Sequence, residues 1–319
     1  MPTLRTIGEN QLLRTILPRL PQRPDTLVGP GDDCAVVRVK GSPDDWLFTT
    51  DPVIERRHFL PSTPARLVGR KAIARAVSDI AAMGGTPLWI LIDLVAPAST
   101  PLSRIRGLYD GMIAAARQWN LGILGGDTAE GDTLELHITG VGRIPRGTAV
   151  LRSTAKTGDL IYVTGSLGAS YLPGNRHHLL FEPRLEAGQF LASQHVATSM
   201  MDLSDGLAAD LPRLLDASRR GARLEANAIP LSRAARKTET PLHHALSDGE
   251  DFELLFTLSP KNRARFEAIW KKKFPSLPAT CIGTILSNPS NRLLHLPDGT
   301  SAPLRPGGYQ HFLSPPRSP

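Results

Sequence analysis

Six short acidic segments recur along the chain, each beside glycine, serine or threonine. They are Gly31-Asp32-Asp33, Thr49-Thr50-Asp51, Ser78-Asp79, Gly125-Gly126-Asp127-Thr128, Asp202-Leu203-Ser204-Asp205-Gly206 and Asp248-Gly249-Glu250-Asp251. Mg2+ prefers oxygen ligands and is typically held by a few carboxylates together with substrate phosphates. One such segment alone would fit an ordinary turn or helix cap. Six of them favour a metal-assisted polyphosphate site.

The familiar motifs for binding nucleotides and for nucleophilic catalysis are absent from the sequence. It has no GxxxxGK[ST], no GxGxxG after a strand, no paired HRD and DFG, and no GxSxG. The sequence therefore lacks the motifs on which a P-loop, Rossmann, protein-kinase or serine-hydrolase interpretation would depend. The two cysteines form no CxxC pair, which argues against a zinc site and a disulfide framework. Phosphate must be held by other means.

The composition is that of a globular protein with a basic surface. Hydrophobic residues make up 41% of the 319 residues, and the formal charge is +7. The basic residues are dispersed, so anionic small substrates explain the charge as well as a general basic surface does, and no nucleic-acid partner is predicted. Residues 88–96 are too few to span a bilayer, and residues 1–20 lack signal-peptide features. We therefore predict no membrane association and a cytoplasmic location.

Predicted strands and helices alternate along the chain, which indicates an α/β (α+β) fold. These elements must position the acidic segments. Strands are predicted at residues 34–40, 46–50, 88–95, 121–124, 134–142, 160–164, 252–258 and 281–286, and helices at 9–17, 65–83, 102–119, 206–218 and 260–274. This pattern places Asp51 and Asp127 at strand ends and Asp79 in the last turns of a helix. Residues 143–158 are rich in Pro, Gly, Thr and Arg, which indicates a domain boundary there, giving domains 1–148 and 149–319.

Six motifs taken together resemble those of the thiamine-monophosphate kinase family. They are Gly29-Pro-Gly-Asp-Asp-Cys-Ala-Val-Val, Thr49-Thr-Asp-Pro-Val-Ile-Glu-Arg-Arg-His-Phe, Lys71-Ala-Ile-Ala-Arg-Ala-Val-Ser-Asp-Ile-Ala-Ala-Met-Gly, Gly125-Gly-Asp-Thr, Met201-Asp-Leu-Ser-Asp-Gly-Leu and Ser247-Asp-Gly-Glu-Asp-Phe-Glu-Leu. The resemblance runs from about Gly8 to Phe312. Single motifs occur loosely in the wider aminoimidazole ribonucleotide synthetase-like superfamily, whereas the set is specific to the kinase.

The resemblance implies an ATP- and Mg2+-dependent kinase whose N-terminal domain binds metal and ATP and pairs in a homodimer. The C-terminal domain would complete the nucleotide and substrate site. The implied metal ligands are Asp33, Thr49, Thr50, Asp51, Asp79, Asp127, Asp202 and Asp205. The implied nucleotide contacts are Gly126, Asp127, Arg152 and Ser204, and the implied substrate contacts are His58, Glu250 and Tyr309. Asp127, Arg152 and Asp205 are the residues expected to act in catalysis.

Two features depart from the family pattern. Asp248 stands where the family usually has glycine, and the helical stretch that usually follows Gly165-Ser-Leu-Gly is shortened to a loop with Pro173 and Gly174. An acidic residue often stands at the position of Ala169. These changes bear on how the C-terminal domain closes over the substrate, whereas the metal set is intact.

The chemistry explains why such a site needs carboxylates more than a base. Phosphoryl transfer from ATP to a phosphate monoester brings two polyanions together, so repulsion and alignment are the main obstacles. The acceptor phosphate has a second pKa near 6 and is already largely ionised at neutral pH. Two alternatives stay open: a superfamily synthetase that activates an amide or selenide, and a binder that has lost turnover.

Overall fold

The computed structural model describes residues 2–172, 174–305 and 307–313, so Pro173 lies outside the described residues. The helices of this part are α1 (Leu4–Ile16), α2 (Ala65–Ala82), α3 (Leu102–Gln118), α4 (His177–Leu180), α5 (Leu185–Ser193), α6 (Leu207–Ser218), α7 (Pro241–Ser247) and α8 (Arg263–Lys273). The strands are β1 (Thr26–Val28), β2 (Ala35–Arg38), β3 (Asp44–Ile54), β4 (Thr86–Ala96), β5 (Gly122–Glu130), β6 (Glu135–Pro145), β7 (Leu160–Thr164), β8 (Ser199–Asp202), β9 (Gly221–Glu225), β10 (Leu254–Leu258), β11 (Ala279–Leu286), β12 (Arg292–His295) and β13 (Ser301–Pro303).

The N-terminal half forms a six-stranded mixed sheet in the order β1-β2-β3-β6-β4-β5, in which only β4 and β5 pair in parallel. Side chains alternate across its strands, and Leu47, Val53 and Ile92 are buried on the face that α2 and α3 cover. On the other face Phe48, Trp89 and Leu91 are exposed. The sheet therefore has one covered face and one open face.

The C-terminal half forms a seven-stranded sheet in the order β13-β12-β9-β11-β7-β10-β8, antiparallel except for the pair β12 and β9. Leu211, Leu214 and Leu215 of α6 pack into one core against this sheet. The central strands β7 and β10 are almost wholly buried, which matches their continuous apolar sequence.

The two halves share a hydrophobic core. One buried cluster joins Ile80 and Met83, at the end of α2, to Leu191 of α5, Phe256 of β10 and Trp270 of α8. The contact is close, because a Cβ added to Gly188 of α5 would lie 2.0 Å from the carbonyl oxygen of Ala81. The end of α2 is thereby fixed against the C-terminal half. The domain division at residue 148 stays a prediction.

The α/β fold class is confirmed, and several element bounds differ from the predictions. Strands β3 and β5 continue through their acidic segments, so the prediction that Asp51 and Asp127 lie at strand ends was wrong. Sheet pairing outweighs the turn preference of Gly125 and Gly126, whose positive φ values of 141° and 153° the strand accommodates. Helix α6 begins at Leu207 and includes Pro212. Within the described ranges, no helix has both the length and the apolar character that crossing a membrane requires.

Candidate functional site

Three carboxylates from distant parts of the sequence converge at the junction of the two halves. Asp33 precedes β2, Asp79 lies in the last turn of α2, and Asp202 ends β8. One oxygen of each lies within 4.8 Å of one oxygen of the other two. These three residues belong to the predicted metal set, and we call them the acidic cluster.

Burial and mutual repulsion make the acidic cluster electrostatically costly. Burial, followed by the charges of Asp202, Asp51 and Asp33, raises the pKa of Asp79 well above the ordinary carboxyl value. Burial and Asp33 do the same to the pKa of Asp202. Two hydroxyls partly compensate: Thr49 donates to Asp79 and Ser78 donates to Asp202, each at 2.5 Å. The remaining negative charge favours a bound cation.

Arg152 lies beside the acidic cluster and contacts both acids of the first segment. Its guanidinium is paired with Asp33, its Nε lies 3.2 Å from the Oδ2 atom of Asp33, and its backbone N–H donates to Asp32 at 3.0 Å. Burial and the charge of Asp33 raise the pKa of Asp32 to about 7. Arg152, the predicted nucleotide contact, thus places a largely buried cation beside the acidic cluster.

Ser204 and Asp205 lie in the short turn that leads into α6. Gly206 has a φ of 103°, a conformation that favours glycine, and it caps the helix. The carboxylate of Asp205 pairs with Arg213 at 2.8 Å, while its backbone N–H donates to Asp210 at 2.9 Å. Ser204 accepts the backbone N–H of Glu250 through its carbonyl oxygen at 2.7 Å. This turn therefore holds the fifth and sixth acidic segments together.

A buried charge network connects Asp51 to Glu250. Arg75 donates to both oxygens of Asp51, at 2.5 and 2.7 Å, and to Glu250 at 2.9 Å. The Nζ atom of Lys71 lies 2.6 Å from Glu250 and donates to the carbonyl oxygen of His58 at 2.8 Å. Sequence reasoning missed both basic residues. Lys71, Arg75 and Asp79 are spaced by four residues, and this common helical face was the signal that could have found them.

The three predicted substrate contacts lie near one another and near the acidic segments. His58 is buried, and its Nδ1 atom accepts the backbone N–H of Ile54 at 2.9 Å. The ring of His311 lies 6.2 Å from that of His58 and 5.0 Å from that of Tyr309. The backbone N–H of Tyr309 donates to the carbonyl oxygen of Asp205 at 3.0 Å. The C-terminal segment therefore connects His58 to the start of α6.

Thr50, Gly126 and Asp127 are not brought to the acidic cluster within one chain. Thr50 is exposed beside Thr139, and Asp127 is exposed on the edge strand β5, with its backbone N–H bonded to Asp93 at 3.1 Å. Asp127 is paired in register with Asp93, so both side chains point to the open face of the sheet. The structure thus divides the predicted site residues between a cleft and the open face.

Comparison with known proteins shows which family the chain belongs to. Residues 31–144 match the model of the AIR synthase related protein N-terminal domain, and residues 156–295 match that of the C-terminal domain. The thiamine-monophosphate kinase of Rhodopirellula baltica is 36% identical over 87% of this chain and 89% of its own length. That of Escherichia coli K12 is 33% identical over 97% of this chain and 99% of its own. This chain belongs to the thiamine-monophosphate kinase family.

A solved structure of a protein from this family has the same architecture. AaThiL complexed with AMPPCP and TMP matches with a TM-score of 0.82 and 28% identity, over 98% of this chain and 99% of that one. The sequence-based recognition of the family is therefore confirmed, as is the two-domain fold type that it implies.

The two departures from the thiamine-monophosphate kinase pattern contact each other. The carboxylate of Asp248 accepts the backbone N–H of Ala169 at 2.8 Å and lies 2.8 Å from Nδ1 of His244. Ala169 has a φ of 66°, so the loop turns sharply at this point. Farther along the loop, Tyr171 lines a cavity of about 170 Å3 together with Arg56, Arg57 and His178. Asp248 thus binds the loop at the point where it turns.

Proposed function

We propose that this chain transfers the γ-phosphoryl group of ATP to thiamine monophosphate, giving thiamine diphosphate and ADP, as the last step of thiamine diphosphate synthesis. The convergence of Asp33, Asp79 and Asp202 is the observation that carries this proposal. The relatives named thiamine-monophosphate kinase and the AaThiL complex with AMPPCP and TMP support it. The proposal includes a cytoplasmic location.

The donor set of the acidic cluster fits Mg2+. Carboxylates and hydroxyls are the hard oxygen ligands that this ion prefers, and burial, followed by the charges of neighbouring acids, raises the pKa values of Asp79 and Asp202. Asp33, Asp79 and Asp202 would hold the ions, with Thr49, Asp51 and Asp205 nearby. When bound, Mg2+ would neutralise phosphate charge and help align donor and acceptor.

The protein's own groups would act mainly by positioning and by electrostatics. The guanidinium of Arg152 would supply a fixed cation for the phosphates of ATP, held in place by its pairing with Asp33. Ser204, in the turn that leads into α6, would contact the nucleotide as well, whereas the backbone N–H groups of Asp205 and Gly206 already donate to Asp210. Because the acceptor oxygen is already ionised, no side chain has to remove a proton, and the transfer proceeds directly and in line.

The acceptor side of the site would be formed by His58, Glu250 and Tyr309. Glu250 and His58 are 1% and 4% exposed, so a ligand that reached them would be largely removed from water. Glu250 is held by Arg75 and Lys71, which would keep it oriented while thiamine monophosphate binds. Exclusion of water favours transfer to the acceptor over hydrolysis of ATP.

The proposal includes a homodimer formed through the open face of the N-terminal sheet. Phe48, Trp89, Leu91 and Leu124 are exposed on this face or its edge strand, with Leu124 62% exposed. A contiguous exposed apolar surface of this kind is typical of an interaction site. Pairing would also cover Thr50 and Asp127. Both are predicted metal ligands that lie away from the acidic cluster, so further ligands would be needed to complete a metal site around them.

Incubation of the purified protein with ATP, Mg2+ and thiamine monophosphate tests the activity. Thiamine diphosphate and ADP should form in equal amounts, and chelation of Mg2+ with EDTA should stop the reaction. Tight binding of both substrates without product would overturn the proposal in favour of a non-catalytic binder. ADP formation that requires an amide or a selenide would favour a superfamily synthetase.

A further inference from the structure

We propose that Arg75 is the resident cation of the site and takes the place that a divalent ion would otherwise occupy between Asp51 and Glu250. Arg75 is outside the predicted set of site residues. The inference rests on the proposed metal centre, and it assigns Arg75 a positioning role: the guanidinium holds one predicted metal ligand and one predicted substrate contact by means of a permanent charge.

The contacts of the guanidinium define this role. Its Nε and Nη2 atoms donate to the two oxygens of Asp51, and Nη1 donates to Oε1 of Glu250 at 2.9 Å. Asp51 lies in β3 of the N-terminal half, whereas Glu250 lies between α7 and β10 of the C-terminal half. A single cation therefore bridges acids from both halves, as a shared metal ion would.

The surroundings fix the plane of the guanidinium. Its Cζ atom lies 5.5 Å from the ring centre of Phe252, which is itself stacked on Phe181 at 3.8 Å. The Arg75 side chain is 11% exposed, and those of Asp51 and Glu250 are 16% and 1% exposed. Water therefore screens the three charges weakly. The N–H donors of the guanidinium are held in position before any ligand binds.

Loss of this cation would remove the cationic partner of Asp51 in this network and leave Glu250 with Lys71, whose Nζ atom lies 2.6 Å from it, so one negative charge of the network would be unbalanced. Buried carboxylates that share a site either take up a proton or bind another cation. Lys71 balances only one of the two carboxylates, so a divalent ion is the cation expected to take the vacated place. Asp51 can still serve a metal beside Asp79 in the native protein, because a carboxylate offers about four lone-pair positions and Arg75 uses two.

Titration calorimetry of the nucleotide-free protein with Mn2+ tests the inference. Arg75→Gln should bind one additional Mn2+ per chain, or bind Mn2+ at least about tenfold more tightly than the wild type. Mn2+ should also raise the melting temperature of this variant more than that of the wild type. Isotherms that coincide for Arg75→Gln and the wild type would overturn the proposal.

Arg70→Gln is the matched control on the same helix. Arg70 also connects α2 to the C-terminal half, through Glu182 and the carbonyl oxygen of Phe181, and its side chain is 14% exposed. This variant loses a comparable bridge without uncovering Asp51, so its Mn2+ binding should equal that of the wild type. An equal gain of Mn2+ in Arg70→Gln would show that loosening of α2, and not the vacated charge, is responsible, and would refute the proposal.

Two further variants keep the test decisive if Arg75→Gln does not fold. Arg75→Lys retains the charge without the fork, so its Mn2+ stoichiometry should stay at the wild-type value. Arg75→Gln combined with Glu250→Gln removes the second carboxylate, and the additional Mn2+ site should disappear. An additional ion in either variant contradicts the inference. Every readout is metal binding or melting, so the result stands apart from any failure to phosphorylate thiamine monophosphate.

Discussion

Asp79 and Asp202 are buried carboxylates that oppose folding at the place where the proposed metal site lies. Burial raises the pKa of both groups, with added repulsion from neighbouring acids, so folding favours the protonated form. Such a carboxyl group destabilises the metal-free protein increasingly as the pH rises above 3.8, the ordinary pKa of an aspartate. A bound cation would offset that loss. Strain of this electrostatic kind is typical of a functional site.

Replacement of Asp79 by Asn should separate stability from activity. The amide keeps an oxygen that can accept the Thr49 hydroxyl, and it removes one buried charge. We expect the metal-free variant to be about 1–2 kcal/mol more stable at pH 8, with a smaller gain at pH 5, while turnover falls by roughly a thousandfold. Melting curves in EDTA and steady-state rates at saturating Mg2+ measure the two effects.

Asp25→Asn supplies the control for this prediction. Asp25 lies outside the site, and its hydrogen bond with Arg23 lowers its pKa, so the sign of its effect is reversed. Neither turnover nor stability should rise in this variant. A metal-free Asp79→Asn protein that melts below the wild type at pH 8 would mean that the acidic cluster carries no excess charge.

At the scale of elements, helix α2 contributes residues to the candidate site on one face and packs closely against α3 on another. Lys71, Arg75 and Asp79 are aligned towards the cleft by their spacing of four. Elsewhere on the same helix, a Cβ added to Gly69 would lie 2.0 Å from the carbonyl oxygen of Leu108 in α3. Likewise, a Cβ on Gly111 of α3 would lie 2.0 Å from the carbonyl oxygen of Arg66. The two glycines let the helix backbones approach closely, which sets the depth of α2 against the sheet.

Gly111→Ala should therefore destabilise the protein although alanine is the better helix former. Relief of the contact with Arg66 requires a backbone shift, because the neighbouring atom belongs to the main chain, and we expect a loss of about 2–4 kcal/mol. A Cβ at Gly107 in the same helix would lie 3.0 Å from the Cβ of Ala65 and 3.9 Å from the backbone N of Arg66, so Gly107→Ala should change stability by less than about 1 kcal/mol. Urea unfolding measures both. Equal stabilities of the two variants would contradict the close contact.

At the scale of the whole molecule, the predicted site residues lie in two places. The acidic cluster, Arg152 and the predicted substrate contacts lie at the junction between the halves, whereas Thr50 and Asp127 lie on the open face of the N-terminal sheet. A single chain satisfies the first group, and a second chain would be needed to enclose the second. The association state is therefore part of the functional question.

Leu124→Asp should convert the proposed dimer to a monomer, because the new charge would be buried on pairing. Leu102→Asp is the matched control, since Leu102 is also 62% exposed but begins α3, on the other side of the sheet. Sedimentation velocity should give a monomer for the first variant and a dimer for the second and for the wild type. A wild-type protein that sediments as a monomer at micromolar concentration would refute the dimer.

The sequence by itself determined the family, the α/β class and the residue types of the site. Acidic residues beside small or hydroxyl residues indicate metal and phosphate chemistry, because the residue types that such chemistry needs can be recognised within a short segment. The helix at 65–83 and the strand at 160–164 were likewise predictable, since apolar periodicity reports which side of an element is buried. For the same reason, the four-residue spacing of Lys71, Arg75 and Asp79 predicts that all three lie on one face of the helix. The two basic residues could therefore have been found from the sequence, although the sequence reasoning did not use this spacing.

Only the tertiary structure decided which of these residues meet. Asp33, Asp79 and Asp202 converge because β2, α2 and β8 are packed around one junction, and no local pattern encodes a contact across more than a hundred residues. The extension of β3 and β5 through their acidic segments also depends on pairing with distant strands, which outweighs the turn preference of Asp and Gly. The bridge from Asp51 through Arg75 to Glu250 exists for the same reason: charge pairing is set by three-dimensional proximity, and the order of residues along the chain does not specify it.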